Sequence, residues 1–190
     1  MRRSRIREMD EQARAWWAFR PVQPVDPPAV KDSSWVKTDV DRFVLAKLEA
    51  AGIKPAPSAS REALIRRAYY DLIGLPPTLE EIDAFVKDKS PDAWAKVIDR
   101  LLASPRYGEQ WGRHWLDIVR FGESLGFEVN ELMNDAWPYR DYVIQSFNED
   151  KPFDRFVLEQ IAGDSLAPGD PAVEVGLTLL SCGPIDIVGN

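Results

Sequence analysis

Apolar residues recur at three- and four-residue steps along most of the chain after residue 38. This spacing places apolar side chains on one face of an α-helix, because successive residues turn by about 100°. In residues 39–52 a closing glycine, Gly52, suits the position just beyond a helix end. The apolar positions of that first helix are Val40, Phe43, Val44, Leu48 and Ala51.

Start and stop signals predict further helices along the chain. Ser60 can cap a helix that stops at Gly74, and Thr78 with Glu81 has the spacing of a capping box. Ser-Pro pairs at residues 90–91 and 104–105 place a proline where a first helical turn tolerates it. Helical spacing also covers residues 135–148, 150–163 and 170–183, and no segment alternates strictly enough for a strand. We predict an all-α fold, an irregular bundle of about seven to eight short helices.

The first 37 residues have a different character. Residues 1–19 can form a helix that ends in an aromatic cluster, and residues 20–28 read RPVQPVDPP. Proline lacks an amide donor and fixes φ, so this stretch should be extended. We therefore expect an N-terminal helix and proline-rich arm over residues 1–37 and a helical domain over residues 38–190.

Composition narrows the functional classes. The net charge of −7 argues against binding to nucleic-acid backbones, which requires a concentrated basic surface. No apolar run approaches the length of a membrane span, and the basic start MRRSRIR lacks the apolar region of a signal peptide. Cys182 is the only cysteine, so these residues hold no CxxC metal motif or CxxCH haem motif. We expect no cofactor within this chain.

The densest candidate chemistry lies in residues 104–148. His114, the only histidine, precedes Asp117 by three residues, so both occupy one flank of a predicted helix. A carboxylate there could set the tautomer and pKa of the imidazole. The simpler interpretation, which we weight more heavily, is a histidine that makes one hydrogen bond between helices.

Arg140 interrupts the predicted apolar arc of residues 137–147. A guanidinium in such a place must be paired, and the candidate partners are Asp117, Glu123, Glu128 and Asp164. A buried ion pair that fixes helix register is the favoured interpretation. The alternative is a catalytic site built from His114, Asp117, Glu123 and Arg140. A weak metal-site alternative combines His114, Asp117, Glu123 and Glu128 as one imidazole with three carboxylates.

Seven tryptophans raise the possibility of stacking on a sugar or on a partner. At least four of them fall on predicted core faces, where packing explains them. Trp16, Trp17 and Trp35, near the proline-rich arm, are the candidates for partner binding.

Three segments together resemble one protein family. They read RRAYYDLIGLPPTLEEIDAF (residues 66–85), LLASPRYGEQWGRHWLDIVRFGES (101–124) and YRDYVIQSFNEDKPFDRFVLEQIAGD (139–164). They look like the planctomycete cytochrome-type domain of unknown function, which occurs in large secreted proteins. WWAFRPV (residues 16–22) is similar to the segment that introduces that domain.

The resemblance indicates which kind of assembly and which cell compartment the chain belongs to, but it does not indicate a reaction. Family members often carry c-type haem motifs before and after this region, so haem c could reside in a downstream segment or in a partner subunit. It also implies an extracytoplasmic, periplasmic location, and we expect the helical domain to be truncated on its C-terminal side relative to the family. The first hypothesis is therefore a non-catalytic helical module of a redox or electron-transfer assembly that acts as scaffold or docking surface. Its partner would be another protein chain or domain, with a c-type cytochrome as the candidate. The alternatives are a metal-dependent or carboxylate-based hydrolase acting on polysaccharide, and a glycan- or partner-binding module.

Overall fold

The computed structural model describes residues 13–126 and 130–183, and within these ranges the regular structure is helical. The all-α prediction is confirmed, and the described residues contain one isolated antiparallel bridge, between Ser124 and Leu132. The α-helices are α1 (Asp39–Ala50), α2 (Arg61–Ile73), α3 (Leu79–Lys87), α4 (Ala93–Leu102), α5 (Arg106–Ile118), α6 (Trp137–Asn148), α7 (Phe153–Leu166) and α8 (Pro171–Glu174). Two 3-10 helices span Trp17–Phe19 and Val175–Leu180.

The chain forms two compact units, Met1–Ser58 and Ala59–Asn190. In the first unit the described chain passes through a helical segment at residues 13–15, the Trp17–Phe19 turn and an irregular stretch to residue 38. It then enters α1. The sequence pattern divided the chain at residue 38, whereas the compact unit also includes α1 and the residues that follow it.

Helix α1 begins at a capping box formed by Thr38 and Asp41 and is followed by Gly52, whose φ is 68°. Its Glu49 carboxylate accepts the backbone N–H groups of Lys31 and Asp32 at 2.9–3.1 Å. These bonds tie the end of the arm to the last turn of α1.

The apolar face predicted for α1 is largely uncovered. The exposed fractions are 69% for Val40, 40% for Phe43 and 46% for Val44, and the buried residue of α1 is Leu45. The helix was predicted correctly here, but most of its apolar positions do not form a buried face.

Helices α2, α3 and α4 share one hydrophobic core in the second unit. The capping residues predicted from the sequence begin α2 and α3 and end α2 as expected. Ser60 Oγ accepts Ala63 N–H, Thr78 and Glu81 form the capping box, and Gly74 ends α2 with φ 71°. Helix α4 instead begins at Ala93, two residues later than its Ser-Pro signal suggested. The buried residues of this core are Ile65, Ala68, Tyr69, Phe85, Ala93, Val97 and Leu101.

Helices α5, α6 and α7 and the Val175–Leu180 turn enclose a second core. Helix α5 meets α6 closely through two glycines, Gly108 and Gly112. A Cβ on Gly108 would collide with the Ile144 carbonyl oxygen, and one on Gly112 would lie 3.3 Å from Ile144 Cγ1. Asn148 Oδ1 also accepts Gly108 N–H at 2.8 Å, so the end of α6 caps the start of α5. The buried residues of this core are Tyr139, Tyr142, Val143, Phe156 and Cys182.

Two helices end at left-handed residues that are not glycine. After α5, Arg120 has φ 56°, and Phe121 N–H donates to the Leu116 carbonyl at 2.9 Å. After α6, Asp150 has φ 49°, and Lys151 N–H donates to the Ser146 carbonyl at 2.9 Å. Both are Schellman closures, which usually place glycine at this position. The helix predicted to begin at the Ser-Pro pair of residues 104–105 therefore stops at Ile118.

Candidate functional site

An open hollow between α5 and α6 contains three of the four predicted catalytic residues, Asp117, Glu123 and Arg140. Its volume is about 440 Å³. Helix α5 supplies Asp117, the segment after its Schellman closure supplies Glu123, and α6 supplies Arg140. The other lining residues are Glu109, Arg113, Leu116, Phe121 and Ile144.

Arg140 has two carboxylate partners in this hollow. Its Nη1 lies 2.5 Å from Glu123 Oε1, and its Nε donates to Asp141 Oδ1 at 3.1 Å. The pKa of Arg140 is raised, mainly by its hydrogen bond to Asp141 and to a lesser degree by the negative charges of Asp141 and Glu123. Of the three proposed partners that lie within the described residues, Glu123 is the one that the structure pairs with Arg140.

The Arg140 pair lies at the surface, so the sequence-based interpretation of a buried ion pair was wrong. The side chains of Arg140 and Glu123 are 38% and 56% exposed. Exposed pairs of this kind contribute at most about 1 kcal/mol, because water screens them. The buried face of α6 instead consists of Tyr139, Tyr142, Val143 and Ser146.

His114 lies outside the hollow. It is exposed, and its ring makes an edge contact with Trp111 at 5.5 Å between centroids. Within the described part of the chain, no ion pair links His114 to Asp117. Helix spacing placed the two residues on one flank, and the described structure does not join their side chains by a hydrogen bond or an ion pair.

The predicted metal site is not assembled by the described residues. Across residues 13–126 and 130–183, no group of three or more His, Cys, Asp or Glu side chains is arranged to hold a metal ion. Glu128, one of the four proposed ligands, lies outside the described residues.

A buried polar cluster that the sequence analysis missed joins α5, α6 and α7. Trp115 Nε1 donates to Tyr139 Oη and Gln160 Oε1, both at 3.0 Å, and Tyr139 Oη donates to the same oxygen at 2.6 Å. Burial raises the pKa of Tyr139 to about 12. Gln160 is 1% exposed, so this neutral cluster lies within the core. The sequence could not predict this burial, because a glutamine in a helical pattern looks the same whether it faces water or the core.

A second missed cluster is charged. Glu159 is 3% exposed, and its carboxylate accepts hydrogen bonds from Lys151 Nζ and Arg155 Nε at 2.6 Å and from Tyr142 Oη at 2.9 Å. Burial alone would raise the pKa of Glu159, but the bonds from Lys151, Arg155 and Tyr142 outweigh it and lower that pKa. The buried ion pair expected at Arg140 thus occurs at Glu159.

The three partner-binding candidates differ in exposure. Trp16 is 58% and Trp17 is 74% exposed, and their rings lie 6.4 Å apart. Trp35 is partly buried and lines a hollow with Leu45 and Ile53 in the N-terminal unit. Among the tryptophans assigned to core faces, Trp137 is 53% exposed, so that assignment was wrong for it.

The fold and the site define an all-α protein whose described residues hold a surface charge cluster and two buried polar networks. The family model PSCyt2, protein of unknown function (DUF1549), matches residues 39–186, and the chain belongs to this family. No curated protein and no solved structure matches the chain. No helix among the described residues has both the length and the apolar character needed to cross a membrane.

Proposed function

We propose that this chain is a non-catalytic helical module of a larger c-type cytochrome-like redox assembly, and that it docks another protein chain through its N-terminal unit. The observation that supports the proposal is the exposure of aromatic side chains just before the proline-rich stretch. Trp16, Trp17 and Phe19 are 58%, 74% and 73% exposed within four consecutive positions.

Exposed tryptophans of this kind fit a docking role. Tryptophan is enriched among residues that dominate protein interfaces, because it buries a large area with few rotatable bonds. The following residues Val22 and Val25 are 97% and 70% exposed, and the nearby prolines limit the freedom of the backbone. An arm that is already extended loses less entropy when it binds.

Helix α1 offers a second apolar surface in the same unit. Val40, Phe43 and Val44 occupy one helical face and are exposed. In a docking module such a face needs no partner within its own unit, because the bound protein would cover it.

The redox setting of the proposal rests on the family resemblance. We propose that the partner is a c-type cytochrome or a cytochrome domain, that this chain contributes no haem itself, and that the assembly is extracytoplasmic. A net charge of −7 suits a basic partner surface.

The test measures binding of the purified full chain to c-type cytochromes from the organism that produces it. A visible spectrum and a metal analysis of the chain alone come first, and we expect neither a Soret band nor a stoichiometric metal. We then expect Trp16→Ala with Trp17→Ala to weaken binding at least tenfold. Trp137→Ala is the matched control, since Trp137 has similar exposure but lies in the other unit. Equal binding by the double variant and the control would refute the docking role of the arm.

Hydrolysis is the second candidate, because the hollow does gather Asp117, Glu123 and Arg140. Paired carboxylates can supply the acid and base for cleavage of a glycosidic bond. Release of reducing sugar from a polysaccharide panel, abolished by Asp117→Asn and by Glu123→Gln, would establish this candidate. Activity that persists in both variants would exclude this hollow as its source.

A further inference from the structure

A small aromatic pocket lies in the C-terminal unit where α5, α6 and α7 meet, apart from the hollow that holds Arg140. Its volume is about 210 Å³. This is below the usual range for sites that hold drug-sized ligands, so one ring is the size of group that it can enclose. Five aromatic side chains line it: Tyr107, Trp115, Phe147, Phe153 and Phe156.

The rings of the pocket meet at steep angles, so they form walls rather than a stack. Trp115 lies edge-on to Phe153 at 81° and to Phe156 at 68°, with centroid separations of 6.5 and 5.0 Å. Phe147 is inclined by 59° to Phe156. A planar guest would therefore meet both ring faces and ring edges, the two favourable aromatic geometries. Phe153 lines the pocket and is 70% exposed.

The charged lining comes from the turn between α6 and α7, and Ser146 of α6 adds a hydroxyl. Asp150 adopts its left-handed conformation in the Schellman closure of α6, and Lys151 follows it. Lys151 Nζ is held by Glu159 at 2.6 Å and lies 4.5 Å from the Tyr142 ring centroid. The closure fixes the backbone of both residues before any ligand arrives.

The charges of this lining select against ionic guests. Lys151 repels a cation that Asp150 attracts, and the reverse holds for an anion, so a charged guest would lose its hydration without a net electrostatic gain. Asp150 is exposed, and its carboxylate makes no hydrogen bond with another described residue, so it can accept a proton donor from a guest. A neutral ring with an O–H or N–H group satisfies both the apolar walls and this acceptor.

We propose that this pocket binds a neutral single-ring aromatic group that carries a hydrogen-bond donor, of the phenol or indole class, with the donor directed to Asp150. The same chemistry is present in a free phenol and in a tyrosine or tryptophan side chain of another protein. The proposal is independent of the N-terminal arm and of the redox setting.

The test follows backbone amide resonances of Asp150 and Lys151 in the full chain by two-dimensional NMR during titrations with small probes. The neutral donor probe is 4-ethylphenol. Ethylbenzene lacks the donor, tyramine adds a cation and 4-hydroxybenzoate adds an anion. We expect 4-ethylphenol to bind about tenfold more tightly than ethylbenzene, which cannot make the hydrogen bond to the charged acceptor. We also expect it to bind more tightly than tyramine and 4-hydroxybenzoate, whose charged groups lose hydration without a net attraction to the lining.

Two variants and a control assign the site. Phe153→Ala removes a wall from an exposed position and should weaken 4-ethylphenol binding severalfold. Asp150→Gly removes the acceptor at a left-handed position that glycine adopts readily, and should erase most of the preference over ethylbenzene. Ile161→Ala, which shortens an exposed apolar side chain of α7 that does not line the pocket, should leave the affinity unchanged. Thermal unfolding of each variant establishes that it is folded.

The outcomes are decisive for the proposal. Absence of binding, equal affinity for ethylbenzene, tighter binding of either ionic probe, or an unchanged affinity in Phe153→Ala would overturn it. If it holds, the capped peptide acetyl-Gly-Tyr-Gly-amide distinguishes the two sources of the ring. Tighter binding of the peptide than of 4-ethylphenol assigns the pocket to a partner side chain, and weaker binding assigns it to a small molecule.

Discussion

Replacing Glu159 by glutamine should destabilise the C-terminal unit. The carboxylate is 3% exposed and accepts hydrogen bonds from Lys151, Arg155 and Tyr142. Glutamine has nearly the same shape but carries no charge. Its amide N–H groups would face the N–H and O–H donors that the carboxylate now accepts. The substitution leaves the ammonium of Lys151, whose side chain is 18% exposed, without its counter-charge.

The expected loss follows from the burial of each bond. Hydrogen bonds to a charged, buried acceptor contribute about 1.5–3 kcal/mol each, and loss of one partner of a buried ion pair costs about 3–5 kcal/mol. The bond from Arg155 adds little, about 0.5 kcal/mol, because its side chain is 43% exposed and the pair is an i,i+4 pair. Since glutamine retains one acceptor oxygen, we expect a loss of about 2–3 kcal/mol in the free energy of unfolding.

The same reasoning predicts a pH dependence. The pKa of Glu159 in the folded protein lies below its ordinary value of 4.5. A lowered carboxyl pKa means that the stabilisation is fully present above the unfolded value and is lost as pH falls through the folded value. The difference between the wild-type protein and Glu159→Gln should therefore be constant above about pH 5 and shrink below about pH 4.

Urea unfolding monitored by circular dichroism at several pH values measures both quantities. Glu149→Gln is the matched control, because Glu149 is exposed and should change stability by less than about 0.5 kcal/mol. A Glu159→Gln variant as stable as the wild-type protein at pH 7 would refute the role assigned to the buried network. A stability difference that grows as the pH falls would refute the sign of the pKa shift.

Further predictions concern the contacts and ends of α5, and urea unfolding measures each of them. Gly108→Ala should lower the free energy of unfolding by about 1–3 kcal/mol, because its Cβ would collide with the backbone of α6. Gly112→Ala should change it little, because its Cβ would meet a side chain at 3.3 Å and alanine favours the helix. Asn148→Ala should lose about 1 kcal/mol with the cap on α5; an unchanged stability would show that water replaces it. Arg120→Gly should raise the free energy of unfolding by about 0.5–1 kcal/mol, because glycine adopts the left-handed conformation without strain. The same change at Arg113, inside α5, should lower it by about 1 kcal/mol. Equal effects at both sites would contradict the closure.

Local signals in the sequence predicted much of the fold. Ser60, Thr78, Gly52 and Gly74 cap or follow helices as expected, because each acts through its own backbone and the next few residues. Arg120 could not be recognised as the closure of α5. Its left-handed conformation is imposed by the packing around it and not by its own preference.

The candidate site was harder to predict because side-chain pairing depends on neighbouring helices. Arg140 was expected to be buried since residues around it are apolar, but α6 turns its tyrosines inward and leaves Arg140 at the edge. Glu159 was overlooked because a glutamate in a helical pattern ordinarily faces water. Three donors from α6, α7 and the turn between them make its burial possible, and their convergence exists only in three dimensions.

The most direct test of the docking role places a benzophenone-bearing amino acid at position 17 of the full chain in cells that produce it. Position 137 receives the same group as a control, because Trp137 is also exposed. Irradiation should give a discrete covalent adduct from position 17 and not from position 137, and the adduct should contain a haem-staining protein that binds the purified chain. No adduct at position 17, or the same adducts from both positions, would contradict the account.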